Sequence, residues 1–169
     1  SAARQDKEAL ATLCDYTISR HYPEAEGPLG LLAAAVAAQA SLVAQWLSFG
    51  FIHGVMNTDN CALSGETIDY GPCAFLDAYQ PQKVFSAIDR LGRYAYANQP
   101  QIALWNLTQL ASCLLPLIGP EAAAVDEAQA VLDGFAPAYQ AEWLYRMGRK
   151  IGIARATPED RPLIDSLLS

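Results

Sequence analysis

The chain has 169 residues, 52% of them hydrophobic, with a net charge of -7 and an isoelectric point near 4.7. That length suits one domain with a substantial buried core, and that apolar content excludes a disordered chain. The acidic balance excludes a nucleic-acid surface, which needs clustered Lys and Arg, and leaves any grip on phosphates to local cations, a metal or residues outside this chain.

Taken in order, residues 5–21 place Leu10, Leu13, Cys14 and Ile18 at helical spacing, and Tyr22-Pro23 stops the helix. After a loop from Pro23 to Pro28, the pattern predicts a helix over 29–49, with Gly50 as its C′ residue. From Gly27 to Thr58 there is no Asp, Glu, Lys or Arg, a run long enough to span a bilayer. It is rich in alanine, however, and holds Gln39, Ser41, Gln45 and Ser48. Leu32, Val36, Val43 and Leu47 mark a single apolar stripe, which predicts the buried helix of a soluble protein.

The next stretch breaks the helical pattern. His53 to Asn60 reads as a loop, Cys61 to Leu63 as a short strand, Ser64-Gly65 as a turn and Thr67-Ile68 as a second strand. The hairpin so formed would hold Asn60 and Asp69 near each other at its open end. Another loop runs from Gly71-Pro72 through Pro81, and 82–98 is mixed. Helices are predicted over 101–118 (Leu107, Leu110, Leu114 and Leu117, with Pro116 able to kink the end), 120–134 (Pro120 at its start, Gly134 at its stop), 138–150 (Tyr139, Trp143, Met147) and 158–168. Asn98 to Pro100 is expected to cap the second long helix. Trp46, Trp105 and Trp143 are expected in the core, and Arg90 and Arg93 in pairs with Asp77 or Asp89. The expected class is mainly α, with a small β-hairpin carrying the functional residues.

Cys14, Cys61, Cys73 and Cys113 show no CxxC and no Cys-His metal spacing, so they read as reduced thiols of a cytosolic-type protein. Cys73 reads as a lone buried thiol. No basic segment with an apolar stretch and cleavage site opens the chain, so no signal peptide is expected.

The chemistry-bearing residues gather in two short stretches, His53-Gly-Val-Met-Asn-Thr-Asp-Asn60 and Ile68-Asp-Tyr-Gly71. Asp59, Asn60 and Asp69 form an oxygen-only set that suits a hard cation such as Mg²⁺. Read on their own, Asp59 and Asn60 would also serve as a turn and helix-capping pair, and Asp69 as a solvated hairpin end.

A helical body with such a loop and hairpin resembles the C-terminal lobe of a protein-kinase-like fold. Kinases carry a His-x-Asp loop with a metal-binding Asn five residues after the Asp, then Asp-Phe-Gly. Here His53 and Asn60 keep the His-to-Asn spacing of seven, and Asp69-Tyr70-Gly71 resembles Asp-Phe-Gly. Val55 stands where the base Asp would be, and a carboxylate appears at Asp59 instead. With that departure, the wording of 53–60 and of Thr67-Ile-Asp-Tyr-Gly-Pro-Cys-Ala-Phe-Leu-Asp-Ala-Tyr79 resembles the selenoprotein O (YdiU) family. Gly92-Arg-Tyr-Ala-Tyr-Ala-Asn-Gln-Pro100 and Trp105-Asn-Leu107 resemble it as well.

The resemblance implies a protein adenylyltransferase, which moves AMP from ATP to Ser, Thr or Tyr hydroxyls of proteins. It implies Asp59 as general base, Asn60 and Asp69 as holders of Mg²⁺ or Mn²⁺, and Asp69 also near the ATP phosphates. His53 would brace the loop. The implied setting is bacterial cytoplasm, or the mitochondrion in a eukaryote, with neither nucleic acid nor membrane as partner.

The family's glycine-rich segment and phosphate-gripping residues precede the matched part. Residues 1–169 are therefore expected to be a kinase-like C-lobe fragment, inactive alone, with Ser1-Ala2 a cloning remnant and Ser169 not a natural end. Two other classes stay open: conventional phosphoryl transfer, against which Val55 speaks, and a silent pseudokinase module that only binds a partner.

Overall fold

The charge-free run becomes the longest helix and the axis of the molecule. In the computed structural model, which describes residues 6–168, it spans Gly27–Phe49 (α2). Pro28 sits in its first turn, where a missing N–H costs nothing. Gly50 closes it at φ 71, the left-handed conformation that glycine adopts freely. The expected stripe is buried in full: Leu32, Val36, Val43 and Leu47 all face the core. By length and composition α2 and the segment Tyr96–Ile118 are apolar enough to cross a membrane. α2 directs that apolarity inward, packing against four other helices.

Those helices are α1 (Lys7–His21), α3 (Gln99–Ile118), α4 (Glu121–Asp133) and α5 (Phe135–Lys150). Asp6 caps α1 by accepting the Ala9 N–H at 3.0 Å. A short α6 (Arg161–Leu167) follows a turn in which Thr157 and Asp160 cap each other, and its Ile164 is buried against the body. Thus the all-helical expectation holds, with boundaries moved by a few residues. The expected start at residue 5, and Ser1, Ala2 and Ser169, lie outside the described residues.

Several local expectations are corrected. Leu13 is 56% exposed, so the buried face of α1 runs through Leu10, Cys14 and Thr17. Gly134 stops α4 as expected, but in a right-handed conformation at φ -69, and α5 begins at the very next residue instead of at 138. Asn98 does not cap α3 with its side chain. Its amide donates to the Gly92 carbonyl at 2.8 Å and ties down the loop before the helix.

The hairpin is the main correction. Neither Cys61 to Leu63 nor Thr67-Ile68 is a strand. The sheet is instead a two-residue antiparallel pair, β1 (Phe51–Ile52) with β2 (Ala74–Phe75), Phe51 opposite Phe75 and Ile52 opposite Ala74. The backbone around 61–68 is held from the side. The Ala62 carbonyl accepts from Gln39 at 2.7 Å, the Leu63 carbonyl from the Tyr22 hydroxyl, and the Ile68 carbonyl from His53. These side-chain bonds hold the segment without a strand ladder. The turn at Ser64-Gly65 does form, with Gly65 at φ 74 and its N–H on the Ala62 carbonyl.

Candidate functional site

The sheet pair brings the two ends of the 53–73 excursion together, and the chemistry-bearing residues lie within it. His53 is its anchor. Its imidazole is fully buried, with Nε2 2.8 Å from the Ile68 carbonyl. A carbonyl only accepts, so Nε2 carries the proton. The His53 backbone N–H donates to Gln99 Oε1 at 2.9 Å, and Trp46 packs on the ring at 5.4 Å between centroids. This is the bracing role expected of His53.

Asn60 ends a single 3-10 turn, Thr58–Asn60, and its Nδ2 donates to the Val55 carbonyl at 3.1 Å. Asp69 follows directly on Ile68, whose carbonyl His53 holds. Next to it, Gly54 sits at φ 89 with no room for a side chain: a Cβ there would lie 2.5 Å from the Pro72 carbonyl oxygen. Residues 68–72 therefore press against 53–54 while Asn60 is tied to 55. Asn60 and Asp69 are moored to one three-residue segment, by different bonds from those the hairpin would have supplied.

Asp69 is the one non-glycine residue with positive φ among the described residues, at 53. Asp tolerates the left-handed region better than most residues, and held conformations of this kind collect at functional sites. Its side chain is exposed and enters no hydrogen bond or ion pair among the described residues, and the same is true of Asp59. Asp59 lies at the exposed centre of the 3-10 turn, close enough to Cys61 for its charge to raise that thiol. Burial is the larger cause of the Cys61 shift, and the hydrogen bond from Asn106 opposes it.

With Nδ2 of Asn60 engaged, its Oδ1 and the two carboxylates are the free polar ends of the site. They are all oxygen, the donor chemistry of a hard divalent cation, so the residues fit one. Two carboxylates and an amide stay below a cluster of three acids, cysteines or histidines, and among the described residues no such cluster occurs.

Helices supply most of the rest of the frame, through residues to which sequence reasoning gave no part in the site. Gln99, completely buried at the start of α3, donates to the Phe51 carbonyl at 2.9 Å and the Tyr96 carbonyl at 3.2 Å while accepting from His53. Asn106 donates to the Met56 carbonyl and to the Cys61 Sγ, both at 3.1 Å. Trp46 Nε1 donates to Thr67 Oγ1 at 2.9 Å, and the Tyr94 hydroxyl to Asn57 Oδ1 at 2.6 Å. Behind the loop lies a mostly apolar cavity of about 320 Å³, with Thr58, Cys61, Asn106 and Leu107 in its walls. A usable signal was available: Trp105-Asn-Leu107 puts a polar amide between two apolar residues of a buried helix.

Three surface expectations also change. Trp105 is 44% exposed instead of core. The Arg93 guanidinium lies over its ring at 4.8 Å, and neither Arg90 nor Arg93 forms an ion pair among the described residues. Cys73 is only partly buried, and all four cysteines are free thiols.

The architecture is that of a helical lobe presenting a braced, acid-bearing loop. The model of the family described as protein adenylyltransferase SelO matches residues 2–169, and the chain belongs to that family. A protein nucleotidyltransferase YdiU from Roseobacter denitrificans is 62% identical over 167 residues, which cover 99% of this chain and 36% of the relative. Proteins of the same name from Agrobacterium fabrum and Jannaschia sp. are 57% and 56% identical, again over 99% of this chain and 36% and 35% of their own lengths. The chain thus spans about a third of the curated relatives it matches.

Proposed function

We propose that this chain is the kinase-like helical lobe of a protein adenylyltransferase and carries the base and metal-holding residues that move AMP from ATP to Ser, Thr or Tyr hydroxyls of proteins. The observation that supports it most is the mooring of Asn60 and Asp69 on the single segment 53–55, with their oxygen ends left free. Family membership supplies the reaction class.

Asn60 Oδ1 and the Asp69 carboxylate would hold Mg²⁺ or Mn²⁺, which when bound offsets the charge of the ATP phosphates. The left-handed backbone at Asp69 sets the direction in which its side chain leaves the loop. Asp59, one residue before Asn60 and open to solvent, takes the proton from the acceptor hydroxyl. Such a base contributes about 10²–10⁴-fold. Transfer at phosphorus depends mainly on positioning and charge neutralisation, so the metal-holding pair outweighs it. Val55 at the alternative base position has no proton acceptor, which favours AMP transfer over conventional phosphoryl transfer.

The test uses the full-length protein with a protein acceptor and ATP radiolabelled at either the α- or the γ-phosphate. Label retained on the acceptor only from α-labelled ATP is the expected result. Label from the γ-phosphate, or none from either, overturns the proposal. These 169 residues contain no glycine-rich phosphate loop, so alone they are expected to bind ATP weakly and to transfer nothing. Measurable AMP transfer by the isolated chain would refute that part.

A further inference from the structure

Arg93 is a cation without a carboxylate in a chain of net charge -7. Its nearest acid by sequence, Asp89, is already engaged: the two carboxylate oxygens accept the backbone N–H groups of Arg93 and Tyr94 at 2.8 and 2.7 Å. The guanidinium instead lies over two rings, 4.8 Å from the Trp105 centroid and 5.8 Å from that of Tyr94. The side chain donates no hydrogen bond among the described residues. Stacking engages the faces of a guanidinium and leaves its N–H edge, a planar fork matched to a carboxylate.

The place of this fork matters as much as its freedom. The Tyr94 hydroxyl donates to Asn57 Oδ1, and the Asn57 carbonyl accepts the Asn60 N–H at 3.0 Å, closing the turn that presents Asp59. The guanidinium is therefore one tyrosine ring away from the turn that carries the proposed base. A residue flanking a hydroxyl bound at Asp59 would lie within reach of it.

Resting on the function proposed above, we infer that Arg93 selects the protein acceptor by binding an acidic side chain that flanks the target hydroxyl. Trp105 and Tyr94 hold the guanidinium in register, and the overall negative charge of the chain leaves it as a local basic spot for such a residue. Hydrogen bonds to a charged group of this sort contribute enough to discriminate between acceptors by about tenfold.

The experiment measures AMP transfer by the full-length protein to a serine peptide flanked by Glu and to its Gln-flanked counterpart, as the ratio of the two kcat/KM values. Wild type is expected to favour the Glu peptide by about tenfold, Arg93→Met to bring the ratio near one, and Arg93→Lys to restore part of it. Because each variant supplies its own ratio, a general loss of activity cancels. An equal ratio in wild type, or an unchanged preference in Arg93→Met, overturns the inference while leaving the adenylyltransferase reading intact. A raised KM for ATP with an unchanged peptide ratio overturns it in favour of a nucleotide contact. No transfer to either peptide or to any protein overturns both, and calorimetric binding of the Glu peptide then shows whether the fork binds acids at all.

Discussion

Two regions of the molecule are held together by different forces. Around α2, Leu31, Leu32, Ala35, Val43 and Ala44 are at most 2% exposed, and regular helix satisfies the backbone. From His53 to Ala95 the only regular structure is β2 and one 3-10 turn, and this stretch is held by side chains reaching its carbonyls. From α2, Gln39 donates to the Ala62 carbonyl and Trp46 to the Thr67 hydroxyl; from α3, Asn106 donates to the Met56 carbonyl and Gln99 accepts the His53 N–H. Burial fixes the first region and directed hydrogen bonds fix the second, so the two should fail in different ways when perturbed.

The largest effect is expected where function needs a charge that stability does not. Asp69→Asn keeps a residue that tolerates left-handed φ and removes the charge. AMP transfer by the full-length protein should fall by about 10²–10³-fold, with the urea midpoint nearly unchanged. A variant that retains transfer would remove Asp69 from the site. Leu32→Ala, at a fully buried position on α2, should do the reverse. It should cost about 2–5 kcal/mol in denaturant unfolding, with residual folded protein still active.

Gln99→Leu tests the border between the regions. It leaves the Phe51 and Tyr96 carbonyls and the His53 N–H without their partner. A cost of about 1–3 kcal/mol is expected, together with a loss of transfer, because the same residue belongs to both regions. A stability loss without any activity loss would show that the loop does not depend on α3.

Tyr96 gives the smallest effect and a pH signature. Burial, with help from Tyr79, pushes its hydroxyl from 10.0 up to about 12. Between those values the unfolded chain has lost the proton that the folded chain keeps. Stability should be independent of this group below pH 10 and fall as pH rises toward 12. Tyr96 adds at most about 1.4 kcal/mol per pH unit to a slope that the buried Tyr139 and Tyr22 share, and Tyr96→Phe should lower the slope by that amount in urea titrations above pH 10.

The same division explains what could be read from the sequence. Helix stripes are periodic and report burial directly, so Leu32, Val36, Val43 and Leu47 gave α2 to within two residues at its start. The hairpin failed because local alternation at 61–68 carries no information about Gln39, Tyr22 and His53, which reach in from elsewhere and hold its carbonyls. β1 and β2 lie too far apart in sequence, and are too short, to register as a pair. Trp105 was misplaced because periodicity counts an aromatic ring as core even where a guanidinium covers it. The proposed site residues Asp59, Asn60 and Asp69 stood out in the sequence, as did His53 as a brace, whereas the parts played by Gln99, Asn106 and Tyr94 did not.

Gly54 carries one more consequence. The absence of a methyl group there lets the chain around Pro72 come flush against the start of the loop. An alanine would wedge that seam open and strain the local backbone at φ 89. The fit of residues 68–72 against 53–54 thus depends on a residue that has no chemistry of its own.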